Sequence, residues 1–383
     1  MMDGFERSLL DSLSAKKEKG LLRTLHPIDW KQEKSVFSSN NYLGLARDER
    51  LKKAAIQAIE TYGTGSGGAR LTTGNFLLHE RLEASLASFK QKESAIVFSS
   101  GYLANLGVIS ALMGPGDVIF SDELNHASII DGCRLSKARI VVYRHADMDD
   151  LRNKIRSAQE TKKLIVTDGV FSMDGDIAPL HDIVEVAQTH GAWVMVDDAH
   201  ATGVLGETGA GTAEYFGISD RIQLLMGTLS KSVGAEGGYV AASRTVVDYL
   251  RNHARSFIFQ TSLSPGVVAS ALEGIRIIRE EPERRRRLLK NARLLRDGLT
   301  KLGFTLVEGI TPIVAVMIGE AEKAVRFSAR LEEEGVFAPA IRPPTVPQGS
   351  SRIRVTLMAT HTQSEIDQVL TCFEKVGKAM RII

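Results

Sequence analysis

Seven short apolar runs, separated by stretches of helical periodicity, restrict what this chain can become more than any other feature. They fall at Ala95–Phe98, Asp117–Phe120, Arg139–Tyr143, Leu164–Thr167, Trp193–Val196, Gln223–Met226 and Gly238–Ala242. Helical spacing marks Glu49–Tyr62, Leu77–Phe89, Tyr102–Leu112 and Leu180–His190. This alternation predicts an α/β fold whose mostly parallel seven-stranded sheet is covered on both faces. The near-continuous apolar character of Trp193–Val196 agrees, because a covered sheet hides both sides of a strand.

At 383 residues the chain exceeds one average domain. Residues 1–45 read as a polar N-terminal segment. In it, residues 5–19 suit a short amphipathic helix and Val36–Gly44 a strand running into a turn. Residues 46–280 form the expected large domain. A long helical pattern starts at Pro265 and is interrupted at Pro282. Residues 281–383 read as a smaller α+β C-terminal domain. Its strands are expected at Thr305–Val307, Ile313–Met317 and Ile353–Leu357, with helices over Ala321–Glu334 and from Ser364.

Composition excludes several functions. A net charge of +2 gives no argument for nucleic acid or an anionic membrane surface. Arg284–Arg287 lies beside glutamates and reads as a solvated helix face. Two cysteines, Cys133 and Cys372, cannot build a disulfide framework and read as reduced thiols. The first residues carry acids without a long apolar core, so no signal peptide is read, and no apolar run approaches the ~20 residues of a membrane span. A soluble cytoplasmic protein is expected.

The chemistry centres on Lys231, within the small-residue loop Thr228–Gly234, and on Asp197-Asp198-Ala199-His200 upstream. Each follows an apolar run. Residues just past the carboxyl ends of parallel strands face a shared crevice. A lysine and an acid meeting there suit pyridoxal phosphate, the amine forming a Schiff base and the acid pairing with the pyridinium nitrogen. Desolvation would depress the lysine pKa. Asp197 is the preferred pyridinium partner; Asp198 can also be read as a helix N-cap. His200 could reach the phenolic oxygen.

Phosphate needs a cradle, and Ser99-Ser100-Gly101-Tyr102 runs from a strand into a helix start. Gly101 would let the backbone approach. Tyr102 or His126 could stack on the ring, and Thr228 and Ser230 could add hydroxyls. His126 can equally be a helix-cap histidine, and Arg354 can point to a cavity or to water. Gly63–Gly68 satisfies Gly-x-Gly-x-x-Gly but follows a helical stretch, so it reads as a mobile or substrate-contacting loop, not a dinucleotide fingerprint. Asp197, Asp198 and His200 lack an accompanying His-x-x-x-His or Cys pair, and no metal site is expected.

Together, Asp197–His200, Thr228–Lys231, Gly169–Asp176, Ser38–Leu45 and Leu124–Ser128 resemble the α-oxoamine synthase family of fold-type I pyridoxal phosphate-dependent acyltransferases. The resemblance spans about residues 20–375. It implies that Lys231 holds the cofactor and moves the Cα proton, that Asp197 pairs with the ring nitrogen, and that His200 and Ser172 lie near the phenolic oxygen. It further implies that His126 stacks on the ring and that Gly101, Tyr102 and Thr228 hold cofactor groups, chiefly the phosphate. Asn40 and Arg354 would face the amino-acid carboxylate, and Arg23 and Thr345 the acyl substrate. Thr261 or Ser262 would reach the phosphate of a neighbouring subunit, since the family is homodimeric. The implied reaction is the decarboxylative condensation of L-alanine with a pimeloyl thioester, carried by CoA or a carrier protein. Ile341–Pro347 and Gly67–Gly74 fit that pair. Leu124–Lys137 and Gly237–Tyr239 fit glycine with acetyl-CoA equally well.

Overall fold

The structure is a computed structural model that describes residues 4–18, 21–23, 25 and 35–383. It divides into Met1–Lys34 and Ser35–Ile383. In the first unit Gly4–Glu18 is helical, with Phe5, Leu9, Leu10 and Leu13 exposed along it.

In the second unit the strands are β1 (Ser35–Val36), β2 (Ser94–Phe98), β3 (Val118–Asp122), β4 (Arg139–Tyr143), β5 (Lys163–Asp168), β6 (Trp193–Asp197), β7 (Leu224–Thr228), β8 (Gly238–Ala242), β9 (Ile313–Gly319), β10 (Val336–Phe337), β11 (Ala340–Ile341) and β12 (Ser351–Thr356). All seven expected runs join one sheet of order β2-β8-β7-β6-β5-β3-β4. Only β8 runs antiparallel, between β2 and β7. Six strands therefore end on one edge of the sheet.

Burial on both faces explains the apolar runs. In β2, Ile96 and Phe98 enter one core while Ala95 and Val97 enter another. In β6, Val194 and Val196 pack on one face and Met195 on the other. Alternate side chains thus meet different helices, and neither face can be polar.

Helix boundaries follow sequence punctuation. Glu49–Tyr62 starts at Asp48, whose carboxylate accepts from Arg50 N, and stops at Gly63 in the left-handed region. Pro265–Glu280 and Pro282–Lys301 both begin with proline at a first-turn position.

Two expected strands shrink. Thr305–Val307 reduces to a single bridge between Leu306 and Val316, held by Val307 N on the Ala315 carbonyl at 3.1 Å and Met317 N on the Thr305 carbonyl at 2.9 Å. Only Ser35–Val36 of the early segment is strand, pairing with β10. The chain beyond it folds irregularly over the core and buries Tyr42, Leu43 and Leu45. The second sheet, of order β11-β12-β9, is antiparallel and carries Arg352 and Arg354 on β12.

Asp198 is not a helix cap. Lys90, directly after the helix Leu77–Phe89, is fully buried and places Nζ 3.0 Å from Asp198 Oδ2, 3.1 Å from Thr202 Oγ1 and 2.5 Å from the Ala210 carbonyl. Thr212 Oγ1 donates to the other Asp198 oxygen at 2.5 Å. Burial alone would lower the Lys90 pKa, but Asp198 and Tyr239 outweigh it and hold the amine charged. Replacing Lys90 with Met should strand a buried carboxylate and cost about 3–5 kcal/mol of stability. Urea denaturation would measure this, and a loss under about 1 kcal/mol would deny the pair its structural weight.

Candidate active site

At the carboxyl edge of the large sheet, register sets the site. Asp168 ends β5 directly beside Asp197, which ends β6. Asp197 in turn lies beside Met226 of β7, and Thr228 beside Gly238 of β8. The turns leaving these strands line a cavity of about 190 Å³. It brings together Ser100, Gly101, Tyr102, His126, Ser172, Asp197, His200, Thr228, Ser230 and Lys231, all named from sequence, with Asn105, Ser128 and Asp168.

Asp197 is held by two donors. Ala199 N donates to Oδ1 at 2.9 Å and Asn105 Nδ2 to Oδ2 at 2.8 Å. Asn105 also donates to Ser128 Oγ at 2.8 Å. The Lys231 side-chain amine makes no hydrogen bond among the described residues, while its carbonyl accepts from Gly234 N at 3.1 Å. Burial lowers its pKa, Asp197 and Asp168 pull it back in part, and Arg354 lowers it further. The net depression leaves more free amine at neutral pH than an ordinary lysine has.

Both histidines of the cavity stay neutral. Burial drives His200 well below its usual range, and the positive charges of Lys231 and Arg354 add to the effect. Tyr42 OH lies 2.6 Å from His200 Nδ1. Burial also lowers His126, with Asp197 opposing and Lys231 assisting. His126 lines the cavity and also caps the helix Ala127–Ser136. Its backbone N–H donates to Asp168 Oδ2 at 2.8 Å. Asp168 is pushed well above the usual carboxylate range, first by burial and then by the nearby Asp197.

Ser100, in the same cavity, caps the helix Gly101–Leu112, accepting from Leu103 N at 3.1 Å. First-turn N–H groups have no partner within a helix and suit an anion. A Cβ on Gly101 would stand 3.2 Å from Met226 Cε and 3.4 Å from Thr228 Oγ1, filling the approach. Thr228 Oγ1 and Ser230 Oγ lie 2.7 Å apart. A carboxylate, an anion cradle and an unbonded amine lining one cavity match the parts of pyridoxal phosphate.

Arg354 is buried and turns inward, not to water: Nε donates to the Ser172 carbonyl at 2.5 Å and Nη2 to Asn40 Oδ1 at 3.1 Å. Asn40, Arg354 and Ser172 thus form one contact group. The Ser262 hydroxyl donates to the Gly74 carbonyl at 2.6 Å. Its neighbour Thr261 is exposed. Ser66 Oγ and Ser262 N tie the Gly63–Gly68 loop down at 2.9 and 3.0 Å, so it does not hang free. Thr345 is exposed in the loop after β11, and Arg23 is exposed in the N-terminal unit. Among the described residues no group of three or more His, Cys, Asp or Glu side chains is placed to hold a metal ion, and no helix is long and apolar enough to cross a membrane.

Sequence reasoning missed Asn105, Asp168, Ser128 and Tyr42. Asp168 carried a usable signal, since it follows an apolar run just as Asp197 does. Asn105 carried none: it sits mid-helix and meets Asp197 only through packing.

Comparison with known proteins agrees with this geometry. The model of the class I and II aminotransferases matches residues 32–373. The 8-amino-7-oxononanoate synthase of Lysinibacillus sphaericus is 58% identical, covering 100% of both chains. 8-amino-7-oxononanoate synthase 2 of Bacillus subtilis strain 168 is 51% identical, covering 98% of each. Among solved structures, a lysine-to-alanine variant of the serine palmitoyltransferase of S. paucimobilis with bound PLP-myriocin aldimine superposes with a TM-score of 0.93 at 36% identity, covering 100% of both chains. Asn105→Ala should free one oxygen of Asp197 and weaken pyridoxal phosphate binding about tenfold. Cofactor titration followed by absorbance checks this; unchanged affinity would remove Asn105 from the site.

Proposed function

The chain belongs to the class I and II aminotransferase family, in its α-oxoamine synthase branch, and from that premise we propose that it condenses L-alanine with a pimeloyl thioester. The products are 8-amino-7-oxononanoate, the free thiol and carbon dioxide, a step toward biotin. One observation carries this reading: a full-length likeness of 58% to such a synthase, in a chain whose Lys231 and Asp197 share one cavity. The reaction belongs in the cytoplasm. The working unit is a homodimer, in which exposed Thr261 serves the cofactor phosphate of the second copy.

Pyridoxal phosphate, when bound, supplies an aldehyde that condenses with amines and a ring that draws electrons from Cα. The residues do the rest. Asp197, fixed by Asn105 and Ala199 N, holds the proton of the ring nitrogen, and that charge is what makes the ring draw electrons. His126 covers one face of the ring. His200 and Ser172 present polar groups to the phenolic oxygen. Ser100–Tyr102, Thr228 and Ser230 cradle the phosphate.

Lys231 works twice. Its depressed pKa supplies a free amine that would hold the cofactor aldehyde, and the same amine would take the Cα proton of the substrate. Arg354 and Asn40 orient the substrate carboxylate, the guanidinium providing a charge-assisted fork. Thr345 serves the acyl chain.

Holoprotein treated with borohydride should carry reduced cofactor on Lys231, and Lys231→Ala should carry none; label on another lysine would overturn the assignment. Because the Lys231 pKa is lowered, cofactor capture should inflect below the ordinary lysine range, rising as pH passes that lowered value. Measuring product mass from L-alanine plus pimeloyl-CoA against glycine plus acetyl-CoA decides the substrates. Preference for the second pair would replace this reading with glycine C-acetyl transfer.

A further inference from the structure

At the same edge of the sheet, His145 sits between two carboxylates from different parts of the chain. Its Nδ1 is 3.0 Å from Asp122 Oδ1, at the end of β3, and its Nε2 is 2.9 Å from Asp176 Oδ2. Ionised carboxylates only accept, so both ring nitrogens must donate and the ring is an imidazolium. Burial alone would lower its pKa, but the two aspartates outweigh that and lift it to about 10.

The surroundings favour that charge. Asp122 is fully engaged as an acceptor, with Leu124 N on Oδ1 at 2.9 Å and Ala146 N on Oδ2 at 3.0 Å. Glu123 accepts from His145 N at 2.8 Å. The Phe171 ring meets the imidazole edge-on at 4.4 Å between centroids. Asp174 lies nearby and pairs with Arg352, while Arg144 turns away to Asp147 and Asp150. The second oxygen of Asp176 is buried without a partner among the described residues, so His145 is its only side-chain contact there.

Asp176 closes a tight turn. Phe171 N donates to its carbonyl at 3.0 Å, and Gly175 N donates to the Phe171 carbonyl at 2.8 Å. The residues inside this turn hold two buried arginines. The Ser172 carbonyl accepts from Arg354 Nε, and Asp174 pairs with Arg352. Ser172 also lines the cavity.

We propose that His145 is a positioning residue whose cationic ring anchors the Phe171–Asp176 turn and, through Ser172, sets the orientation of Arg354 toward the substrate carboxylate. The inference rests on the carboxylate-binding role given to Arg354 above. The cation persists through the neutral range and is lost only as pH rises through about 10.

Two measurements on the full-length holoenzyme test it. The first is the L-alanine dissociation constant, read from the cofactor absorbance change. His145→Leu should raise it about tenfold. The affinity for pyridoxal phosphate and the KM for pimeloyl-CoA should move less than about threefold, and His145→Arg should recover much of the loss by restoring a two-donor cation. The second is the nitrogen NMR signal of the His145 ring at pH 8, which should show both nitrogens protonated. Unchanged alanine binding in His145→Leu, or a neutral ring at pH 8, overturns the proposal. If His145→Leu does not fold, Asp176→Asn should weaken alanine binding in the same direction, and unchanged binding there overturns it too. Wild-type holoenzyme indifferent to L-alanine overturns the substrate reading instead, and glycine then replaces alanine in the same comparison.

Discussion

Two carboxylates and one amine must share a buried cavity, and the rest of the fold is arranged around that constraint. Asp168 and Asp197 end neighbouring parallel strands in register, so their side chains cannot avoid each other. The structure treats them unequally. Asp197 receives a backbone and a side-chain donor, whereas Asp168 receives only the His126 N–H and is driven up well above the usual carboxylate range. A single charge facing a pyridinium is chemically useful, while two at this spacing would repel. The depressed Lys231 amine and the two neutral imidazoles complete the balance.

Around this centre sit ion pairs that never touch the cavity. Lys90 removes Asp198 from the site by taking it into the core, so one of two adjacent acids is structural and the other lines the cavity. His145 joins β3 to the turn that supports Arg354. Both devices bridge segments far apart in sequence, and both place a cation where burial would otherwise leave a carboxylate alone. Such pairs add little net stability over an apolar alternative, but breaking one is severe. Their value lies in fixing which acid points where.

Much of this was legible in order of appearance. All seven strand runs formed, because a sheet covered on both faces demands unbroken apolar character, a signal that survives without tertiary context. Helices bounded by Gly63, Pro265 and Pro282 formed where expected, because those residues restrict the backbone locally. Lys231, Asp197, His126 and His200 were readable because each leaves a strand-like run or sits in a motif. Asn105 and Tyr42 were not, since nothing in a helix interior or an irregular segment announces a partner more than 90 residues away. The bond from the Ser262 hydroxyl to the Gly74 carbonyl was equally out of reach, a contact decided by packing.

Sequence alone determined the layered architecture, the edge of the sheet that would carry chemistry, and the residue types able to hold pyridoxal phosphate. Those depend on local periodicity and on the common direction of parallel strands. Tertiary structure decided which of two adjacent aspartates is free, which way Arg354 turns, and why His200 stays neutral. Each of these is set by burial and by charges brought close from distant segments, and the energy of a charge depends on its surroundings, not on its neighbours in the chain.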